Sequence, residues 1–421
     1  MPERSQPDRL DRGLGWVGTE FEVTVGPVAH GGHCVARHDG RVVFVRHSLP
    51  GEVVRVRVTE DRHPGFCRAD AIEVLTAAAE RVERPCPWSG PGLCGGCDWQ
   101  HVAPAGQREL KASVVREQLA RLAGLDVEVS VEELPGGPLR WRSRARFAVD
   151  RAGVPGLRRH RSHDVVPLED CPITAEPAAR AVLSTRWPGA GAVDVSIDSS
   201  SAVTTTRLDR RGRPLTTRTT TAAGLVDPTA RAARHADGRD WEVEGTGFWQ
   251  VHPAAADTLV AAVEDFAQVR AGEMVLDLYA GAGLFGGALA PAVGSQGRVV
   301  CVESDPLACA AADANLAELP QAEVWQGDVD ADGLAELLGE LGGGPDVVVL
   351  DPPRAGAGTA VSRLLAAAGA RAVVYVACDP AALARDVAAF TGAGYRLAGL
   401  RAFDAFPMTH HVECVALLVP A

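Results

Sequence analysis

Residues 272–286 read GEMVLDLYAGAGLFG, an apolar run that ends in a glycine turn and opens a second apolar stretch. Met274 to Leu278 has the unbroken hydrophobic character of a strand buried on both faces, with Asp277 its one charge. Gly281, Gly283 and Gly286 then let the backbone turn tightly and approach a ligand. Outward from this stretch, GRVVCVESD (297–305) is a second strand that ends in Glu303, 20 residues after Gly283. That spacing suits a carboxylate placed on ribose hydroxyls. PLACAAADANLAEL (306–319) has a helical pattern, and PDVVVLD (345–351) and RAVVYVA (371–377) are further strands. The last stretch, 394–420, reads as two strands with no helix between them. The alternation predicts an α/β, Rossmann-like, doubly wound sheet over residues 241–421, closed by an antiparallel hairpin.

Three strand ends in this segment carry chemistry. The first is the glycine turn, whose Gly281 and Gly283 are candidate cofactor contacts. It fits a nicotinamide cofactor or S-adenosylmethionine (SAM) and by itself does not choose between them. The second is Asp351-Pro352-Pro353-Arg354, a stiffened backbone beside the cleft. The third is Cys378, followed by Asp379-Pro380 and the helical AALARDVAAF. Open α/β sheets bind ligands at such carboxyl ends, and the amino end of a new helix favours thiolate over thiol. Asp379 before Pro380 also suits a helix N-cap. Glu413 opens the final strand and is a candidate base beside Cys378.

The chain has 421 residues and a net charge of −12, which argues against a surface uniformly coated for nucleic acid. No apolar run approaches the roughly 18 residues of a membrane span. The first residues, MPERSQPDRLDRG, lack a signal-peptide core, so a cytoplasmic protein with a disordered head over residues 1–17 is expected. Residues 18–76 hold short alternating runs between glycine and proline turns, the pattern of a small OB-like β-barrel. Residues 77–240 read as an α+β central domain with a helix over about 104–124. Between Arg140 and Arg161 lie eight arginines and one aspartate. Arg140, Arg142, Arg144 and Arg146 alternate with Trp141, Ser143, Ala145 and Phe147. On a strand they would share one face, as a phosphate-contacting strip or as a solvated face. Lys111 is the only lysine.

Four of the ten cysteines form a set: Cys86, Cys94, Cys97 and Cys171. They suit tetrahedral zinc or a [4Fe–4S] cluster, and Cys171-Pro172 is like the Cys-Pro of ferredoxin ligands. Cys34, Cys67, Cys301, Cys309 and Cys414 show no ligand spacing and read as packing residues.

The ordered set RPCPWSGPGLCGGCDWQH, PLEDCPI, GTGFWQVHP, LDLYAGAGLF, VESD, DPPRAG, YVACDP and FPMTHHVE resembles the RNA uracil-5-methyltransferase family over nearly all of the chain after residue 17. The resemblance implies a class I SAM methyltransferase domain, an N-terminal TRAM barrel and an iron–sulfur central domain. It implies SAM contacts from Gln250, Tyr279 and Glu303, Asp328 near the adenine, and Asp351 at the reaction centre. It makes Cys378 the nucleophile, Glu413 the base and the four cysteines the ligands of a [4Fe–4S] cluster. The helix after the cysteine loop would pack on the catalytic domain. The implied partner is RNA, ribosomal rather than transfer, acted on by a monomer. The family commonly has Cys-Asn-Pro where this chain has Cys378-Asp379-Pro380. Two rival readings are an iron–sulfur, NAD-linked oxidoreductase and a catalytically silent RNA-binding relative.

Overall fold

The computed structural model describes residues 15–221, 224–226, 231–244 and 247–421. The expected disordered head lies outside these, apart from its last three positions. Among those, Trp16 is ordered: its ring lies 5.7 Å from that of Phe21, and the Arg41 guanidinium sits 4.5 Å from its centroid.

The first domain is a five-stranded sheet in the order Glu20–Thr24, Val53–His63, Phe66–Thr76, Arg41–Arg46, Cys34–His38. Alternation puts Val43, Val45, Val54, Val56, Val58 and Ala69 into one core, with Trp99 and Val114 of the next segment packed against it. The barrel therefore shares its core with the segment that follows.

The central part is a seven-stranded antiparallel sheet. Its middle strands are Arg144–Val149, Ala192–Ile197 and Val203–Leu208, and helix Glu176–Leu183 covers one face. The expected boundary at residue 240 falls within a hairpin, Ala232–Ala236 paired with Arg239–Val243. Trp241 of that hairpin is buried in the catalytic domain's core.

The catalytic sheet runs Ala322–Gln326, Arg298–Glu303, Met274–Leu278, Val347–Leu350, Ala372–Ala377, Glu413–Pro420, Tyr395–Asp404 and Val131–Glu133. The first five are mutually parallel and Glu413–Pro420 is reversed. Each buried strand sends alternate residues to opposite faces. Leu276, Val348, Val373 and Tyr375 enter one core, and Val275, Val349, Val374 and Val415 the other. The edge strand Val131–Glu133 comes from the central segment and pairs parallel with Ala402–Asp404.

Helix Pro104–Gln118 continues as a π-helical turn over Leu119–Ala123. Its Ala112, Val115 and Leu119 are buried against the catalytic domain. Lys111 on the same helix has no exposed surface; its Nζ donates to Asp404 Oδ1 at 2.5 Å and to the Phe406 carbonyl at 3.0 Å. Removing one partner of such a pair leaves a buried charge uncompensated. Lys111→Ala should therefore cost about 3–5 kcal/mol, read as a lowered midpoint in urea unfolding.

Candidate active site

The cofactor side is built from the glycine turn. Tyr279, Gly281 and Gly283 all have positive φ (61°, 55° and 87°), and Gly283 caps helix Leu284–Val293. The turn is fixed from beside and below. Gly281 N donates to Glu303 Oε2 at 2.9 Å, and Ser304 N and Asp305 N donate to Oε1 at 2.8 and 2.9 Å. Gly286 N donates to buried Asp277 Oδ2 at 2.8 Å. A Cβ on Gly286 would stand 2.2 Å from Cys301 Sγ, so glycine is required there for close helix–strand packing. The Tyr279 hydroxyl donates to the Val329 carbonyl at 3.0 Å, tying the turn to the loop that carries exposed Asp328. Gly281, Gly283, Tyr279, Glu303 and Asp328 thus gather at the carboxyl ends of three adjacent parallel strands. Gln250 is half-buried on the approach to this domain. Its neighbour Val251 accepts from Ser143 N and Oγ, both at 2.8 Å.

The reacting side follows from strand register. Ala377 pairs with Cys414, so the next step along each chain puts Cys378 beside Glu413. Asp351, one strand over, joins them: its charge acts on both groups, and Arg354 is the cation that opposes it. Burial pushes the Cys378 thiol up to about 12, reinforced by Glu413 and Asp351. The helix end that would favour thiolate is opposed here by burial and two carboxylates. Burial, with Asp351 adding to it, also holds Glu413 well above the carboxylate range, and burial raises Asp351 to about 7. The site as built disfavours excess negative charge, which suits a cationic ligand.

Cys86, Cys94, Cys97 and Cys171 line one small cavity, with Gln100 and Arg142 at its wall. Three of the sulfurs accept hydrogen bonds. Cys94 Sγ accepts from Gly96 N at 3.4 Å, Cys97 Sγ from Gln100 Nε2 at 3.3 Å, and Cys171 Sγ from Thr174 Oγ1 at 3.2 Å. Among the described residues, no group of three or more His, Cys, Asp or Glu side chains is placed to hold a single metal ion. Of the remaining six cysteines, Cys34, Cys67, Cys301, Cys309 and Cys414 are buried and Cys378 is half-buried.

The arginine strip differs from the sequence expectation. Strand geometry begins only at Arg144, and Arg140 has φ 59°, so the four do not share a strand face. Arg140 makes a bidentate pair with Asp170 (2.8 and 2.6 Å) and Arg146 one with Asp194 (2.6 and 2.7 Å). Arg142 donates to the Arg144 carbonyl and Arg144 to that of Gly247. Asp194 lies opposite Arg146 in the sheet register, a partner that the alternation within one strand could not show.

Strand order, the single reversed strand, the glycine turn and the acid at the second strand's tip define a class I SAM-dependent methyltransferase. Residues 16–72 match the model of the TRAM domain, and residues 345–420 that of tRNA (uracil-5-)-methyltransferase. An uncharacterized RNA methyltransferase of Streptomyces avermitilis is 47% identical over 96% of this chain and 99% of its own length. A 23S rRNA (uracil(1939)-C(5))-methyltransferase of Shewanella amazonensis is 33% identical over 92% of this chain and 93% of its own. The tRNA (uracil-54, C5)-methyltransferase of Pyrococcus abyssi, solved with S-adenosyl-L-homocysteine, shares the fold. That match covers 94% of this chain and 99% of that one, with a TM-score of 0.67 and 22% identity. The chain belongs to the SAM-dependent RNA uracil-5-methyltransferase family. Among the described residues, no helix is long and apolar enough to cross a membrane.

Proposed function

We propose that this protein methylates C5 of a uridine in ribosomal RNA through a covalent adduct between Cys378 and C6. The observation that carries this is the register that sets Cys378 beside Glu413, with Asp351 across from them. The C5 of uracil is a weak nucleophile. The Cys378 thiol loses its proton to solvent, and bonding of its sulfur to C6 moves an electron pair onto C5. SAM, when bound, supplies an electrophilic methyl on a cationic sulfonium. Glu413, whose ionised form a cationic ligand favours, takes the proton from C5, and the Sγ–C6 bond breaks as the double bond re-forms. Gln250, Tyr279, Gly281, Gly283, Glu303, Asp328 and Asp351 would hold SAM. The choice of ribosomal RNA is supported by the named activity of the 33%-identical relative. The test is transfer of labelled methyl from SAM to unmodified ribosomal and transfer RNA. Label in ribosomal RNA as 5-methyluridine is expected, and label confined to transfer RNA would overturn the choice.

The four thiols fit a [4Fe–4S] cluster better than one ion. In a cluster each thiolate binds a different iron, so the sulfurs need not converge on one point. Burial raises the Cys86, Cys94 and Cys97 thiols, and each is raised further by Cys171. Four thiolates there would need a cationic centre, and the hydrogen bonds to sulfur suit its ligands. Cys97→Ser should drop iron in anaerobically purified protein from roughly four per chain to near zero; unchanged iron would remove Cys97 from the set.

With the Arg140 and Arg146 charges matched by aspartates, the cationic surface we assign to RNA is a groove of about 750 Å³ over Val203–Leu208 and Pro214–Thr221. Arg186, Arg207 and Arg218 line it, as does Arg180, itself paired with Glu176 at 3.0 Å, and no acidic side chain is among its described lining residues. Replacing Arg186 and Arg218 by Gln should lower the salt slope of RNA binding by about one to two. The reading is of a monomer working in the cytoplasm.

A further inference from the structure

Asp379 stands between the Cys378 thiol and the helix that follows, and its two oxygens face different domains. Oδ1 accepts from Ala382 N at 2.8 Å and caps helix Pro380–Thr391. Oδ2 meets His30 Nε2 at 2.9 Å. His30 lies 349 residues earlier, on the barrel loop between Glu20–Thr24 and Cys34–His38. Gly31 and Gly32, with φ of 92° and 81°, shape that loop. The loop is wedged against the catalytic domain. A Cβ on Gly32 would stand 2.6 Å from His410 Cβ, and the Gly32 carbonyl accepts the Trp99 indole N–H at 3.1 Å. His30 and Gly32 from the barrel thus share one cavity of about 100 Å³ with Arg354, Cys378, Asp379 and His411.

We infer that His30 is a positioning residue of the active site: held over Asp379 by the barrel, its imidazolium neutralises that carboxylate so that it does not oppose ionisation of Cys378. The charged groups acting on the thiol are Glu413, Asp351, Arg354 and Asp379, of which only Arg354 lowers its pKa. Those acting on His30 are Asp379, Glu117 on helix Pro104–Gln118 and Arg385 on helix Pro380–Thr391. The hydrogen bond to Asp379 raises the His30 pKa against the opposing effect of burial, so the imidazole keeps its proton to higher pH. Burial alone would raise Asp379; the bond from His30 and the cap from Ala382 N reverse this and hold it below the usual range. While His30 is protonated the pair is neutral. As pH rises through the His30 pKa, the Asp379 charge is left uncompensated beside the thiol. Barrel and nucleophile are thereby coupled, and the thiol is most readily ionised when the barrel loop is seated.

This rests on reading Cys378 as the nucleophile, so the test reads the thiol itself rather than turnover. Full-length protein is alkylated with iodoacetamide between pH 7 and 9, and the rate at Cys378 is followed by peptide mass spectrometry. His30→Gln should slow Cys378 alkylation about tenfold at about pH 7, the effect of one pKa unit, with the difference shrinking towards pH 9. Asp379→Asn keeps the cap and removes the charge. In that background, His30→Gln should change the rate less than about twofold. An equal effect of His30→Gln in both backgrounds, or none in the first, would overturn the inference. So would faster alkylation of both Cys378 and buried Cys414, which would show that the change only loosens the fold. Should Cys378 prove dispensable for methyl transfer, these rates would still decide whether His30 acts on its thiol.

Discussion

Cys378→Ala should abolish methyl transfer, by at least about 10⁴-fold in kcat, while leaving SAM affinity within about twofold. Without the sulfur no electron pair reaches C5, and the remaining groups can orient the base but not activate it. SAM binding should survive because the residues that would hold it are organised independently of the thiol. The turn is fixed by Glu303 and Asp277, and the helix after Cys378 is capped by Asp379. Isothermal titration with SAM and labelled-methyl transfer to RNA check the two halves. Turnover retained within about tenfold would remove Cys378 from the mechanism, and loss of SAM binding would make it a structural residue.

Glu413→Gln should stop the reaction later, with turnover lowered about 10²- to 10⁴-fold and the protein found covalently joined to RNA. Thiol addition and methyl transfer precede proton removal, so an amide that cannot accept the C5 proton leaves the adduct in place. The sign follows from the site's electrostatics. Burial and Asp351 hold Glu413 well above the carboxylate range, so the free site already carries a neutral side chain there and an amide adds no charge that would oppose ionisation of Cys378. Adduct formation in Glu413→Gln should therefore be no slower than in the parent protein. A denaturing gel of enzyme, SAM and RNA reads it directly. No adduct, with turnover persisting, would remove Glu413 as the base.

Much of this site could be read along the chain, because α/β sheets put chemistry at strand ends and strand ends are local signals. Gly281, Gly283, Glu303, Asp351 and Cys378 each close a hydrophobic run, and folding only has to bring parallel strands into order. The absent helix between 394 and 420 likewise revealed the reversed strand that brings Glu413 to Cys378. What escaped was set by partners distant in sequence. Arg140 and Arg146 look like a free strip until Asp170 and Asp194 arrive from elsewhere. Nothing local in VEE marks Val131–Glu133 as an edge strand of the catalytic sheet. The opposition to the thiolate escaped for the same reason: a helix end is visible in sequence, whereas burial beside Glu413 and Asp351 is not. His30 escaped entirely, since its partner lies in another domain. Only its place just before Gly31-Gly32, in a loop free to approach another surface, gave a signal.

The central claim is the covalent route, and 5-fluorouridine tests it most directly. Fluorine at C5 cannot leave as a proton, so the reaction should stall with Cys378 bonded to C6. Ribosomal RNA carrying 5-fluorouridine is incubated with anaerobically purified protein and SAM and run on a denaturing gel. A retarded protein–RNA band that requires both SAM and Cys378 is the predicted result. Methylation of ordinary RNA by the same preparation, with no such band from the fluorinated RNA, would contradict it.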